Sequence, residues 1–196
     1  MRLLRAADHR LMPWKNGGGA TTELAISPPG AGLDAFDWRI SMADVVEDGP
    51  FSTFDGIDRS LAIIGGDGIL LDIEGRPGAR LTRASAPLAF PADTPAQCRL
   101  IGGRVRDLNV MSRRDAFRHR LGRIVTAGPY EVAPSAEVTL IVSRSAGLGI
   151  ACNGEHTELG IDDAVLIDTP AQLTPSGASE FYLIELFRTD GAASGR

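Results

Sequence analysis

Polar and apolar residues alternate strictly along several short stretches of the chain. In Phe36-Asp37-Trp38-Arg39-Ile40-Ser41-Met42 every even position is apolar and every odd one polar, the period of a strand with one apolar and one polar face. Asp107-Leu108-Asn109-Val110 repeats the pattern and is expected to point Leu108 and Val110 inward, with Asp107 and Asn109 on the other side. Further strands are predicted at about 22–27, 60–65, 69–73, 97–101, 138–143, 164–168 and 181–187. Turn signals separate them: Pro28-Pro29-Gly30, Gly65-Gly66-Asp67-Gly68, Arg76-Pro77-Gly78, Asn153-Gly154 and Pro175-Ser176-Gly177. No segment carries a helical stripe. The 23 glycines and 12 prolines among 196 residues favour many short segments over long helices.

The pattern also repeats. Gly68, Gly75 and Pro91 map onto Gly147, Gly154 and Pro170 with one constant offset of 79 residues. In both copies a short strand lies between the glycines and another precedes the proline (87–90 and 166–169). Each copy then closes on an apolar strand, Leu108-Asn109-Val110 or Ile184-Glu185-Leu186-Phe187. Equal spacing with matching strand placement argues for two copies of one small β unit. Two sheets curled to protect their edges suggest a pair of β-barrels or jelly rolls, joined near residues 111–120.

Charge and composition then narrow the function. A net charge of −5 and a pI near 5.2 oppose binding to nucleic acid through its phosphates. Residues 99–123 carry eight arginines against Asp107 and Asp115, with Phe117 the only aromatic. They read as a solvated connector between two acidic β units rather than a nucleic-acid patch. No apolar run reaches the ~18 residues that span a membrane, and the charged N-terminus lacks the apolar centre of a signal peptide. Cys98 and Cys152 lie in apolar runs without CxxC spacing, as expected of reduced, buried thiols in a cytoplasmic protein. His9, His119 and His156 are far apart with no H-x-H pair, so neither a metal site nor a cofactor is expected. No serine or cysteine has a recognisable nucleophile setting.

One segment stands apart: Met12-Pro13-Trp14-Lys15-Asn16-Gly17-Gly18-Gly19. Three glycines let backbone amides approach a ligand closely, although the spacing is not that of a phosphate loop. Lys15 is the only lysine among 20 basic residues. A site wanting a compact ammonium, with no room for a planar guanidinium, would keep it so, and arginine is then not expected to replace it.

With Thr22-Glu23, this segment resembles the opening signature of the HutD/Ves family. Three further blocks resemble that family in order: Phe36-Asp37-Trp38-Arg39-Ile40-Ser41-Met42-Ala43, then Gly49-Pro50-Phe51-Ser52-Thr53-Phe54-Asp55-Gly56-Ile57-Asp58-Arg59, then Asp107-Leu108-Asn109-Val110-Met111. Asp55 stands where the family usually has proline, and the blocks span residues 12–111 only. The resemblance implies an all-β bicupin: two cupin-like β-barrels, the first at 1–112 carrying the motifs and the second at 113–196. It also implies a link to histidine utilisation, in which the family member restrains the pathway and its pocket holds a small acid such as urocanate or formylglutamate. It brings no established catalytic activity, and Ves-like members are associated with cold or stress responses.

The residues of these blocks suit such a pocket. Lys15, Arg39 and Arg59 supply cations, and a carboxylate is matched by an arginine fork plus a lysine point charge. Asn16, Ser41 and Asn109 donate or accept, while Glu23 and Asp107 accept from an N–H of the ligand. Trp14 and Trp38 are aromatics that would stack on a flat ligand, although aromatic residues on an apolar face more often belong to a core. For Arg39 and Asp107 an ion pair or a solvated strand face competes with a binding role, and Asp58 is assigned to an ion pair or a turn. The expected function is metal-free binding of a small carboxylic acid that modulates histidine utilisation. The alternatives are a metal-free cupin-type enzyme on a small polar acid, with Lys15 or Glu23 as base, and a structural partner of a regulator. Assembly is left open between monomer and homodimer.

Overall fold

The computed structural model describes residues 1–14 and 17–189. It is all-β, with one single-turn 3-10 helix at Ala6–Asp8. The chain divides into two units. The N-terminal unit, Arg10–Arg118 joined by Thr189, contains β2 (Arg10–Pro13), β3 (Gly19–Ser27), β4 (Trp38–Val45), β5 (Gly49–Pro50), β6 (Ile57–Gly65), β7 (Ile69–Ile73), β8 (Ala79–Leu81), β9 (Leu88–Pro91), β10 (Ala96–Leu100) and β11 (Val105–Arg113). The C-terminal unit, Met1–His9 with His119–Arg188, contains β1 (Arg2–Leu4), nearly all of β12 (Phe117–Thr126), β13 (Tyr130–Val132), β14 (Val138–Ser143), β15 (Leu148–Cys152), β16 (Glu155–Leu159), β17 (Ala164–Ile167), β18 (Ala171–Pro175) and β19 (Ser179–Arg188).

The N-terminal unit pairs its strands as β2-β3-β4-β11-β6-β9 and β5-β10-β7-β8, and the C-terminal unit as β1-β17-β14-β19-β12 and β13-β18-β15-β16. The order β9-β6-β11-β4 thus recurs as β17-β14-β19-β12, and β5-β10-β7-β8 recurs as β13-β18-β15-β16. This is the repeat that the 79-residue offset announces. Gly75 and Gly154 lie in the corresponding turns at φ +74° and +78°, a conformation that costs glycine little. Among the described residues none of the four sheets closes into a barrel. Instead the two sheets of each unit enclose one apolar core: Leu61, Ile63, Leu71 and Cys98 in the N-terminal unit, and Ile141, Leu148, Leu173 and Phe181 in the C-terminal unit. Both cysteines are free and buried.

Three expectations change. A single cut between residues 112 and 113 does not describe the division, because β1 pairs with β17, Arg2 opposite Leu166. Asp163 anchors this segment, accepting from Arg5 Nη1 at 2.7 Å and the Ala6 amide at 2.8 Å. At the other end Thr189 returns to the N-terminal unit, its amide donating to Ala116 O at 3.0 Å. The arginine-rich stretch is not a connector either. It forms much of β11 and β12, and its arginines find acids: Arg99 pairs with Asp72, Arg114 with Asp58 and Asp93, and Arg123 with Glu180. Finally, Phe36, Trp38, Ile40, Leu108 and Val110 are buried as expected, yet the opposite side of the six-stranded sheet is enclosed as well. The core cluster takes Ala43, Val45, Leu61 and Ile63, residues of the same parity as Arg39 and Ser41 in β4. The polar face is therefore the inner face.

A buried arginine in an apolar cavity

Register builds the inner face row by row. Met111 of β11 lies between Arg39 of β4 and Arg59 of β6; Asn109 lies between Ser41 and Leu61; Asp107 lies between Ala43 and Ile63. Side chains two apart on a strand share a face, so these rows stack on one surface. That surface backs a cavity of about 610 Å³ within the N-terminal unit. Trp14, Arg39, Ser41, Arg59 and Asn109 line it. Glu23 and Asp107 are not part of the lining. Lys15 and Asn16 lie outside the described residues.

The two arginines differ in their surroundings. Arg39 Nε donates to Glu23 Oε2 at 2.8 Å, with both side chains largely buried, so this charge is balanced. Arg59 is only 4% exposed, and among the described residues no carboxylate lies within ion-pair distance of it. Its guanidinium carbon instead lies 5.3, 5.5 and 5.8 Å from the ring centroids of Phe51, Phe54 and Phe90, as in a cation–π cage. Nη2 donates to Ser52 O at 3.2 Å, and the buried Nε has no hydrogen-bond partner. Burial lowers the Arg59 pKa to about 10; Asp107 counteracts this and Arg39 adds to it. The group remains a cation at neutral pH.

Asp107 is fully buried. Its Oδ1 accepts from Asn109 Nδ2 at 2.5 Å, while Oδ2 has no partner. Burial pushes its pKa up to about 7, against the opposing pull of Arg59, Asn109 and the Ala43 backbone. Neither Arg39 nor Asp107 is thus a solvated face. Asp58 is the ordinary ion pair, 2.9 Å from Arg114.

The glycine-rich segment joins β2 to β3. The Trp14 amide donates to Gly19 O at 2.9 Å, and Val46 N donates to Gly18 O at 3.1 Å. Trp14 packs on the core cluster and donates from Nε1 to Thr21 Oγ1 at 2.8 Å. A Cβ on Gly19 would meet Asp44 O at 2.1 Å and the Trp14 ring at 3.0 Å. This glycine is required by the close packing around it.

Much of the lining was not anticipated: Met12, Pro13, Leu33, Pro50, Phe51, Phe54 and Met111 make it largely apolar. The available signal was the pair Phe51 and Phe54 in a turn-rich segment just ahead of Arg59. Together the described residues form a concave, mostly apolar site with one buried guanidinium that has no ion-pair partner among them, a composition common in small-molecule sites. Among the described residues no group of three or more His, Cys, Asp or Glu is placed to hold a metal ion.

Comparison with known proteins follows the same lines. The HutD family model matches residues 6–183. A 21.2 kDa uncharacterised protein from the hutC 3′ region of Pseudomonas putida is 36% identical over 95% of this chain and 97% of its own. Protein Ves of Citrobacter koseri is 35% identical over 58% of this chain and 60% of its own. The structure of HutD from Pseudomonas fluorescens SBW25 superposes with a TM-score of 0.81 at 33% identity, covering 96% of this chain and 98% of that one. From the opening glycine-rich signature to the whole-chain match, the chain belongs to the HutD family.

Proposed function

We propose that this protein binds a small carboxylic acid in the cavity of its N-terminal unit and, through occupancy of that site, modulates histidine utilisation. The observation that carries the reading is Arg59, a buried cation at an apolar cavity with no carboxylate within ion-pair distance among the described residues. A ligand carboxylate is the natural partner for such a guanidinium, while the phenylalanines and Trp14 offer apolar surface to the rest of the molecule. Lys15 and Asn16 are included in the site on sequence grounds. The names of the relatives, HutD and a protein of the hutC 3′ region, support a pathway acid such as urocanate or formylglutamate as ligand. In this reading each two-sheet unit is one cupin-like barrel, the protein acts in the cytoplasm, and binding needs neither metal nor cofactor.

Calorimetric titration with urocanate and with formylglutamate tests the reading, with chromatography of the ligand afterwards. Saturable binding with intact ligand is expected. Arg59→Ala weakens it by ~1.5–3 kcal/mol, the range for hydrogen bonds to charged groups. Equal affinity of wild type, Arg59→Ala and Arg39→Ala for a bound acid would refute the site. Steady consumption of the ligand would make the protein an enzyme instead.

A further inference from the structure

We infer that Asp107 is the proton-linked counter-charge of the anion site: a carboxylate binds beside Arg59 together with one proton taken up by Asp107. The inference rests on the carboxylate reading of the cavity and adds a residue and a stoichiometry to it. Asp107 and Arg59 stand on the same inner face, and Asp107 is the acid whose charge acts on Arg59. Asn109 connects Asp107 to the cavity, lining it while donating to Oδ1 at 2.5 Å. Asp107 Oδ2 is buried and unpartnered, so the ionised carboxyl is only partly stabilised. An incoming carboxylate would place a second negative charge beside the one guanidinium that Asp107 relies on. A second negative charge near a buried carboxyl raises its pKa further, and a carboxyl already held near 7 then takes a proton. The ligand's carboxylate has Arg59 to bind, so the proton goes to Asp107. The balance is simple: ligand anion plus one solvent proton bind, and the total charge of the site is unchanged.

The surrounding groups leave that role to Asp107. On β6 the charged neighbour is Arg59, a cation throughout the neutral range. On β4 it is Arg39, held by Glu23 of β3, and Asp44, which raises the Asp107 pKa further and lies 3.8 Å from Arg106. From β10 comes Cys98, whose thiol burial pushes up to about 12, so it stays neutral. With burial already holding Asp107 near 7, the linkage operates above about pH 7.

Sodium benzoate, fully ionised in that window, is the probe for calorimetry from pH 6 to 9. For wild type, Kd rises roughly tenfold per pH unit above pH 7, and titrations in phosphate and in Tris at pH 8 give close to one proton taken up. Asp107→Asn removes both effects and at pH 8 binds about as tightly as wild type at pH 6. The two-buffer titration of wild type reports the proton count even if the variant fails to fold. Binding that Arg59→Ala weakens but that is independent of pH, or a slope that survives in Asp107→Asn, overturns the linkage and leaves the carboxylate site standing. No benzoate or urocanate binding at any pH overturns both.

Discussion

Arg39 and Arg59 lie in one row of one sheet, either side of Met111, yet they pose opposite problems to the fold. Arg39 is balanced by Glu23, so the cost of a change there is the charge left behind. Arg39→Leu is expected to destabilise the protein by ~3–5 kcal/mol, as when one partner of a buried pair is removed. Adding Glu23→Gln should recover most of it, and a double-mutant cycle in urea measures the coupling. Among the described residues Arg59 has no such partner; three aromatic rings and the Ser52 carbonyl surround it, and Asp107 acts on it from further off. Arg59→Met, similar in length and apolar, is expected to cost little stability or even to raise the melting temperature, because it removes the burial of a charge. Loss of carboxylate binding with stability retained is the signature of a residue kept for its ligand. A large fall in melting temperature would make Arg59 structural. The block motifs singled out both arginines as cations; the difference between them depended on what stands beside each. Glu23 is sixteen residues from Arg39 and separated from it by a turn, and no spacing rule connects the two.

At the scale of elements, alternation located β4 and β11 and the apolar runs located β7 and β14, because period two and β-branched composition are local properties. Alternation does not say which face is enclosed. In β4 and β11 the apolar parity is buried and so is the polar one, since Arg39, Ser41, Asp107 and Asn109 are all under 8% exposed. β12 went unrecognised for a related reason: its arginines made Phe117–Thr126 look like a solvated connector, whereas ion pairing such as Arg123 with Glu180 at 2.7 Å lets a charged strand sit in a sheet. The β2–β3 connection was legible as an unusual segment, though not as a seat for Trp14. Its sharpest constraint is Gly19. Gly19→Ala must displace the Asp44 carbonyl and also crowds the indole, and an overpacking cost of ~1–3 kcal/mol is expected. Thermal unfolding measures that cost, and a shift in tryptophan emission reports whether Trp14 has moved. Unchanged stability with unchanged emission would show that the packing around Gly19 is loose.

For the whole molecule, two glycines and a proline at constant offset were enough to show a duplicated unit, and strand order repeats it in both sheets. The crossing of residues 1–9 into the second copy was not legible. β1 is three residues long and pairs across more than 160 positions of sequence, Arg2 with Leu166, and nothing local marks such a strand. Its anchor, Asp163, is held below the usual carboxylate range: burial pushes the pKa up, but the Ala6 and Gly160 amides and Arg5 together outweigh it. The sign follows. This carboxylate stabilises the fold above the unfolded pKa near 4, and its contribution is lost as pH falls through the lower folded value. Asp163→Ala should therefore cost ~1–3 kcal/mol at pH 7, as when buried donors lose their acceptor, and progressively less below pH 4, as followed by urea unfolding across pH. Deleting residues 1–9 should speed amide exchange in β14 and β17 while leaving β4, β6 and β11 protected. Equal loss of protection in both units would show that they do not unfold separately.

The exchange of ends also sets an order of manufacture. Chains leave the ribosome N-terminus first, at ~5–20 residues per second. The residues of the N-terminal sandwich are nearly all present once Arg118 has emerged, but Met1–His9 belong to a unit whose β17 follows some 46 residues later. During those seconds the leading segment has a place reserved and nothing to pair with, and an exposed strand edge is what neighbouring nascent chains capture most readily. The charges at Arg2, Arg5 and Asp8, in and beside the short strand that Asp163 later anchors, give that waiting segment a surface that resists such capture.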